Sequence, residues 1–428
     1  MAIPALIKVL SCFAFILALS RFRLHLSLCL MVGATALGAW MGMPPARIVA
    51  SIAAAVSEGQ TLELVAIICM ILVVSQLMKV SGHLDRMVHS FVSLVPDSRT
   101  VSAAMPALIG LLPMPGGALF SAPMVETAVA GCSLSGDQKT AVNYWFRHIW
   151  EYWWPLYPGV VLALSLLQVE TWRFIAMQAP LTLISVAAGT YFLLRPMEPC
   201  PGPTTQSRWS VRSLGVFLWQ AMPILLVVAS ILLLALVRYA VAWIGWTITL
   251  PKVLPLLAGL GASLLWVLRV NRLGVGQFLT ALMNLGTLSM VMLAFGIMIF
   301  KGLLVDSQAV FQIREELVRY HIPLLLVIIA MPFLAGLITG IAVGFVGSSF
   351  PLVVPLFIGL PPLDFLVHAS LAYASGYMGM MLSPVHICFL VSKDYFKASL
   401  LASYRHLYKP VAAVTGTWAA VLALLSVL

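Results

Sequence analysis

The chain has 428 residues, of which 62% are hydrophobic and only 9% charged, with a mean hydropathy of +1.04 and a net charge of +10. A soluble fold of this length needs far more polar surface, which excludes water-soluble enzymes and nucleic-acid binders, and the positive balance reads as the Lys/Arg excess of membrane loops. Repeated continuous apolar runs of about 20 residues exclude a transmembrane barrel, whose strands alternate, and specify an all-α polytopic membrane protein.

The first run, near 3–19, is followed by Arg21 and Arg23 and by no cleavage site, so it reads as a transmembrane helix rather than a signal peptide. Spans near 26–43 and 62–80 follow, then an amphipathic stretch near 83–95. Residues 100–131 form a broken stretch, in which Pro113-Met114-Pro115-Gly116-Gly117 separates two apolar arms. Arms of roughly 12 to 15 residues reach about 20 Å, short of a bilayer core of roughly 30 Å. Two such arms around a Pro/Gly tip predict a re-entrant hairpin. A span at 138–168 carries Arg147, His148 and Glu151 and is interrupted at Pro155 and Pro158-Gly159; another span covers 173–194. A Pro-rich polar linker, 197–213, divides this first half, 1–196, from a second, 214–428.

The second half presents spans near 217–240, 252–268 and 277–304 and an amphipathic stretch at 307–320. A second broken stretch at 322–360 holds Thr339, Gly340, Gly344, Gly347, Ser348 and Ser349. A span at 364–392 breaks at Ser383-Pro384, with His386 just beyond, and the last span covers 409–427. Short strings recur between the halves. Met105-Pro106 matches Met331-Pro332, Ser121-Ala122-Pro123 matches Ser349-Phe350-Pro351, and Tyr152 matches Tyr377, at offsets of 226, 228 and 225 residues. Each half would cross the membrane five times, and an odd count inverts the second repeat relative to the first. About ten crossings then place fifteen Lys/Arg on one side and eight on the other, with Arg147 inside a span. That asymmetry predicts an inner-membrane protein with both termini outside, a cytoplasmic linker, and a first hairpin entering from the cytoplasm.

Backbone breaks survive in a membrane only against protein or a wet cavity, since bare N–H and C=O groups facing lipid cost several kcal/mol each. Freed carbonyls can hold Na⁺ and helix N-termini can face an anion. The hydroxyls of Thr339, Ser348 and Ser349, with the hairpin-tip backbone, suit Na⁺ or a carboxylate, although such hydroxyls also bond back to their own helix. His148 and Glu151 lie on one helix face and read as a proton site or a substrate anchor; the alternative is an interfacial cluster among Trp145, Trp150, Trp153 and Trp154. His386 is a candidate for anion contact or pH sensitivity, or else a core histidine bonded to a carbonyl. The six scattered cysteines show no CxxC or Cys/His pairing, so neither a disulfide framework nor a zinc site is expected. Motifs for ATP hydrolysis, zinc proteolysis and serine hydrolysis are missing.

The order of three spans, hairpin, broken span and span, repeated in inverted form, resembles the ion transporter superfamily. That group includes divalent-anion/sodium symporters, gluconate and citrate permeases, and the large subunits of tripartite carriers. LLPMPGGALFSAPM, HIWEYWWPLYPG and GYMGMMLSPVHIC resemble an uncharacterised branch of bacterial and archaeal integral membrane proteins. The resemblance implies an elevator-type carrier with a scaffold that forms homodimers. It places substrate and coupling ions at Pro113–Gly117, Pro158, Thr339–Ser349 and Ser383–His386. The Ser-Asn-Thr tips of sodium-coupled dicarboxylate members are missing here. The expected function is secondary transport of a small organic anion coupled to Na⁺ or H⁺, with no other cofactor. A channel of the same repeat, or an intramembrane enzyme using His148, Glu151 and His386 on a lipid-linked substrate, are the alternatives.

Overall fold

A computed structural model describes residues 3–22, 24–92, 94, 97–114, 117–197, 210–246, 251 and 253–425. Among them the chain is helical throughout, with twenty-one α-helices and no strand. The first half begins with α1 (Ala5–Arg21), α2 (Leu26–Trp40), α3 (Pro45–Ser57), α4 (Gly59–Val80) and the amphipathic α5 (His83–Val92). The first hairpin is α6 (Ser98–Ile109) and α7 (Ala118–Ala128); the broken span is α8 (Gly136–Arg147) and α9 (Pro158–Leu167). Helix α10 (Thr171–Gly189) follows and ends in a π-helical turn, Thr190–Leu194.

The second half opens with an additional short helix, α11 (Val211–Gln220). Then come α12 (Met222–Trp243), α13 (Leu254–Val270), α14 (Val275–Leu282), α15 (Leu285–Asp306) and the amphipathic α16 (Ala309–Arg319). The second hairpin is α17 (Leu324–Thr339) and α18 (Ala342–Val353), which runs into a 3₁₀ turn, Val354–Phe357. Its broken span is α19 (Pro362–Met381) and α20 (Ile387–Tyr395), and α21 (Leu400–Leu425) closes the chain. Among the described residues, five helices (α4, α10 with its π turn, α12, α15 and α21) are long and apolar enough to cross a bilayer, and the protein is a multi-pass membrane protein.

The element order of the first half recurs in the second. Helices α4, α5, α6 and α8 begin at residues 59, 83, 98 and 136, and α15, α16, α17 and α19 begin 226 residues later, at 285, 309, 324 and 362. Three details depart from the expected spans. Helices α3 and α14 are short separate helices at the same place in each half, and the apolar run over 277–304 is therefore two helices. Helix α21 starts nine residues earlier than its apolar core, because the polar first turns lie against α8 and hold Ser399 N–H on Asp137 at 2.8 Å. Most of the linker, residues 198–209, lies outside the described residues.

Helix ends are set by local chemistry. Asp97 accepts Thr100 N–H and opens α6, and Ser135 and Gln138 form a reciprocal capping box that opens α8. Glu316 of α16 reaches across the fold to take the first free N–H groups of α1, those of Ala5 and Leu6, both at 2.7 Å. The packing crosses between halves: α9 lies on α18 of the second hairpin, and α20 lies on α7 of the first. Both backbone breaks are thus drawn to the middle of the molecule. Cys132 is disulfide-bonded, which corrects the expectation drawn from the scattered cysteine spacing.

Candidate functional site

Residues 148–157 between α8 and α9 leave a run of backbone carbonyls and N–H groups outside any helix, and the described part of the first hairpin tip, 110–114 and 117, does the same. Side chains from the break close the tip. The indoles of Trp150 and Trp154 donate to the carbonyls of Ala107 and Leu111, both at 2.9 Å, and the Tyr157 hydroxyl donates to the Gly110 carbonyl. Ser75 of α4 donates to the Pro113 carbonyl at 3.2 Å. Trp145 and Trp153 donate to the Ser185 carbonyl and the Thr182 hydroxyl of α10. All four indoles are therefore tied inside the protein, three to backbone carbonyls and Trp153 to a hydroxyl, rather than forming an interfacial belt. A buried acceptor left unpaired in apolar surroundings costs about 1–3 kcal/mol, which is the reason for so many indoles in one stretch.

The break itself is held from the second half. Tyr377 and Tyr373, four residues apart on α19, donate to the carbonyls of His148 (2.5 Å) and Glu151 (2.8 Å). In return, Tyr144 of α8 donates to the Met381 carbonyl at the end of α19, at 3.1 Å. Asn143 bridges the Ala118 carbonyl and the Ser392 hydroxyl of α20.

Between these ties sit the ionisable groups. Arg147, His148, Glu151 and His386 are 3%, 1%, 8% and 5% exposed, which is unusual for charged groups inside a membrane protein. Arg147 Nη2 donates to the Met114 carbonyl at 3.1 Å, while its Nη1 is buried with no hydrogen-bond partner among the described residues. Gly117 lies so close to this guanidinium that any Cβ would collide with it. The His148 Nδ1 hydrogen goes to the Tyr144 carbonyl at 2.6 Å. His148 Nε2 faces His386 Nε2 at 3.0 Å and a Glu151 carboxylate oxygen at 3.8 Å. The two imidazoles meet edge to face, 4.7 Å between centroids, with Tyr144 against both. Cys388, half-buried, completes the cluster: its sulfur and the two imidazole nitrogens lie within 4.8 Å of one another, and Arg147 faces the thiol as well.

The second hairpin tip joins at Gly340, in the left-handed region at φ +66°, against Ser383 and the backbone of His386. Ser383 donates to the Leu337 carbonyl at 2.7 Å. Thr339, Ser348 and Ser349 donate to the carbonyls four residues back, those of Ala335, Gly344 and Phe345, at 2.7, 2.7 and 2.6 Å. Each hydroxyl proton is thus spent within its own helix, and only oxygen lone pairs remain. Gly344 lies under the Thr339 side chain, and Gly347 packs on Ile297 of α15. Pro158 opens α9, and Gly159 beside it touches Ala342 at the start of α18. Pro384 lines an apolar groove between α1 and α17. Pro115 and Gly116 lie outside the described residues.

The structure therefore brings together Met114, Gly117, His148, Glu151, Gly340, Ser383 and His386 from the expected set, and leaves Gly347 and Pro384 facing elsewhere. Tyr144, Tyr373, Asn143 and Cys388 were not read as site residues in the sequence, and Tyr377 was read only as the repeat match of Tyr152. Tyr373 and Tyr377 form a polar stripe at helical spacing, and His386-Ile387-Cys388 is a Cys/His pairing in plain view, which corrects the expectation that none exists.

Among solved structures, the chain shares its fold with the YdaH transporter of Alcanivorax borkumensis. The TM-score is 0.53 over 88% of this chain and 86% of that one, at 16% identity. No match is found among curated proteins. The model of the family described as Protein of unknown function (DUF401) matches residues 5–427, and the chain belongs to that family.

Proposed function

We propose that the protein is a secondary active transporter for a small organic anion bearing a carboxylate, coupled to Na⁺ or H⁺. The observation that carries this reading is Arg147, a buried guanidinium with one amino group tied to the first hairpin tip and the other without a hydrogen-bond partner among the described residues. A buried charged donor without an acceptor is costly, and a substrate carboxylate supplies both the acceptor and the opposite charge. The N-termini of α9 and α18 meet at Gly159 and Ala342 nearby, adding partial positive charge. The fold likeness to a protein described as a transporter supports the same role.

In this reading the two hairpins and broken spans move as one body against the remaining helices, in the manner of an elevator. The free lone pairs of Thr339, Ser348 and Ser349, with the tip carbonyls, offer Na⁺ its oxygen ligands. Helix α12 is the least buried of the long apolar helices and gives the scaffold a face for a homodimer.

The test is thermal unfolding of the purified protein with a panel of small organic acids, in Na⁺ and in K⁺. A ligand at a hundredfold excess over its Kd stabilises by about 2.7 kcal/mol. The expected result is stabilisation by one class of acid that disappears in Arg147→Lys, with uptake of that acid into proteoliposomes. Stabilisation by no acid under any condition would overturn the reading, and saturation-free, uncoupled flux would replace it with a channel.

A further inference from the structure

We propose a binding site for a borderline transition-metal cation, Zn²⁺ being the prototype, formed by His148 Nε2, His386 Nε2 and Cys388 Sγ where the two broken spans meet. It does not depend on the anion-carrier reading. The Tyr144 carbonyl holds a hydrogen on His148 Nδ1 at 2.6 Å, so a neutral His148 presents a bare lone pair at Nε2. That lone pair points at His386 Nε2, 3.0 Å away in a buried space, where either a hydrogen on His386 Nε2 or a cation between the two nitrogens satisfies it, and His386 Nδ1 has no hydrogen-bond partner among the described residues to fix that hydrogen.

A shared proton accounts for the imidazole pair, and Arg147 faces the third donor, Cys388, so the distinguishing observation is that all three donor atoms converge on one point. The Cys388 sulfur lies within 4.8 Å of both nitrogens. With Zn–N bonds of about 2.0–2.1 Å, two nitrogens on a tetrahedral ion stand about 3.3 Å apart, a few tenths of an ångström more than the pair shows. Imidazole with thiolate is the donor set that selects zinc-like ions over Na⁺, Mg²⁺ or Ca²⁺, which take oxygen. The Tyr144 carbonyl behind His148 Nδ1 is the outer partner that metal-bound imidazoles ordinarily have. Glu151, 3.8 Å from His148 Nε2, stands beside the site as a counter-charge. Both histidines are sealed, and Cys388 is the least buried residue of the three.

The experiment uses full-length protein in detergent, with any affinity tag removed and the metal stripped by a chelator. After equilibration with Zn²⁺ or Co²⁺ and desalting, bound metal is measured by mass spectrometry and the Co²⁺ form by absorption. One ion per chain is expected, with a thiolate-to-cobalt charge-transfer band. Cys388→Ser should abolish the band, and both Cys388→Ser and His386→Gln should weaken binding at least about tenfold. Cys69→Ser, a second half-buried thiol elsewhere, should change neither readout. Thermal unfolding of each metal-free variant separates loss of the site from loss of the fold. A chain that binds no Zn²⁺ above the level of the Cys388→Ser/His386→Gln double variant would overturn the proposal in favour of a shared proton. A charge-transfer band that persists in Cys388→Ser would overturn it as well. Because no organic acid is present, failure here leaves acid-induced stabilisation to be read separately.

Discussion

Gly340 carries the strictest local demand in the second hairpin. At φ +66° an L-residue is strained, and a Cβ there would stand 2.9 Å from the Ser383 hydroxyl and 3.0 Å from His386 N. Gly42 has a similar left-handed φ of +87° but opens into empty space. Gly42→Ala should therefore lose only the conformational term, roughly 1–2 kcal/mol. Gly340→Ala should lose more in the same chemical-denaturation measurement and should also displace His386, seen as a change in its imidazole resonances. Equal losses would mean that the tip does not press on the break. Tyr377 makes a comparable point about hydrogen bonding. The buried His148 carbonyl accepts both the Tyr377 hydroxyl and Glu151 N–H, so Tyr377→Phe removes one of two donors and should cost about 0.5–1.5 kcal/mol of unfolding free energy.

Whole elements are stitched by side chains reaching to backbone. Trp150 and Trp154 bind the turn of the first hairpin, so Trp150→Phe and Trp154→Phe should each lower stability by about 1–3 kcal/mol and speed amide exchange over residues 106–114. Trp172, half-exposed, hydrogen-bonded to the neighbouring Glu170 and covered by Arg173, is the control; Trp172→Phe keeps the ring under Arg173 and should stay within about 0.5 kcal/mol. A second junction joins α5 to the second half. His83 is fully buried; its Nε2–H donates to the Gln220 carbonyl at 2.8 Å, while Nδ1 faces Asn271 and Arg86, each at 3.4 Å. Burial pushes its pKa below 6.5, so as pH falls from that value the unfolded chain takes up the proton before the folded one. Stability should decline as pH drops through this window and level off below the native value. His83→Gln should flatten that part of the curve. This junction, like the indole ties, was not legible in the sequence. Apolar runs fix helices because lipid demands them, and Pro/Gly clusters fix breaks, so both hairpins and both broken spans could be read directly. The partner of a polar side chain depends on which elements cross, and nothing local in Trp150 or Tyr377 says that its acceptor lies 43 or 229 residues away. The same reason hid the full cluster: His386 and Cys388 are neighbours in sequence, but His148 joins them only when the two halves meet. Helices α3 and α14 were missed because short apolar segments beside longer spans leave no separate signal in hydropathy.

At the scale of the molecule, two sets of elements recur with one spacing, and their orientation in the bilayer is the remaining physical question. Five crossings per half would turn the second set over, and the Lys/Arg bias would then set the first amphipathic helix against the cytoplasm and the second against the outside. His89 on α5 and Glu315 on α16 occupy equivalent positions, 226 residues apart, and both are exposed. They make the orientation measurable with two substitutions. In intact cells a membrane-impermeant maleimide should label Glu315→Cys above the wild-type background and should reach His89→Cys only after lysis. Labelling of both from the same side would rule out the inverted arrangement, and with it an elevator that exchanges equivalent inward and outward states. The opposite pattern, His89→Cys labelled from outside, would keep the inversion but reverse the orientation inferred from charge. The arrangement matters for transport because both breaks meet at His148 and His386. If the halves are inverted, that meeting point is the one place that stands equally far from the two membrane faces, and a ligand held there can be released to either side by the same motion run in opposite directions.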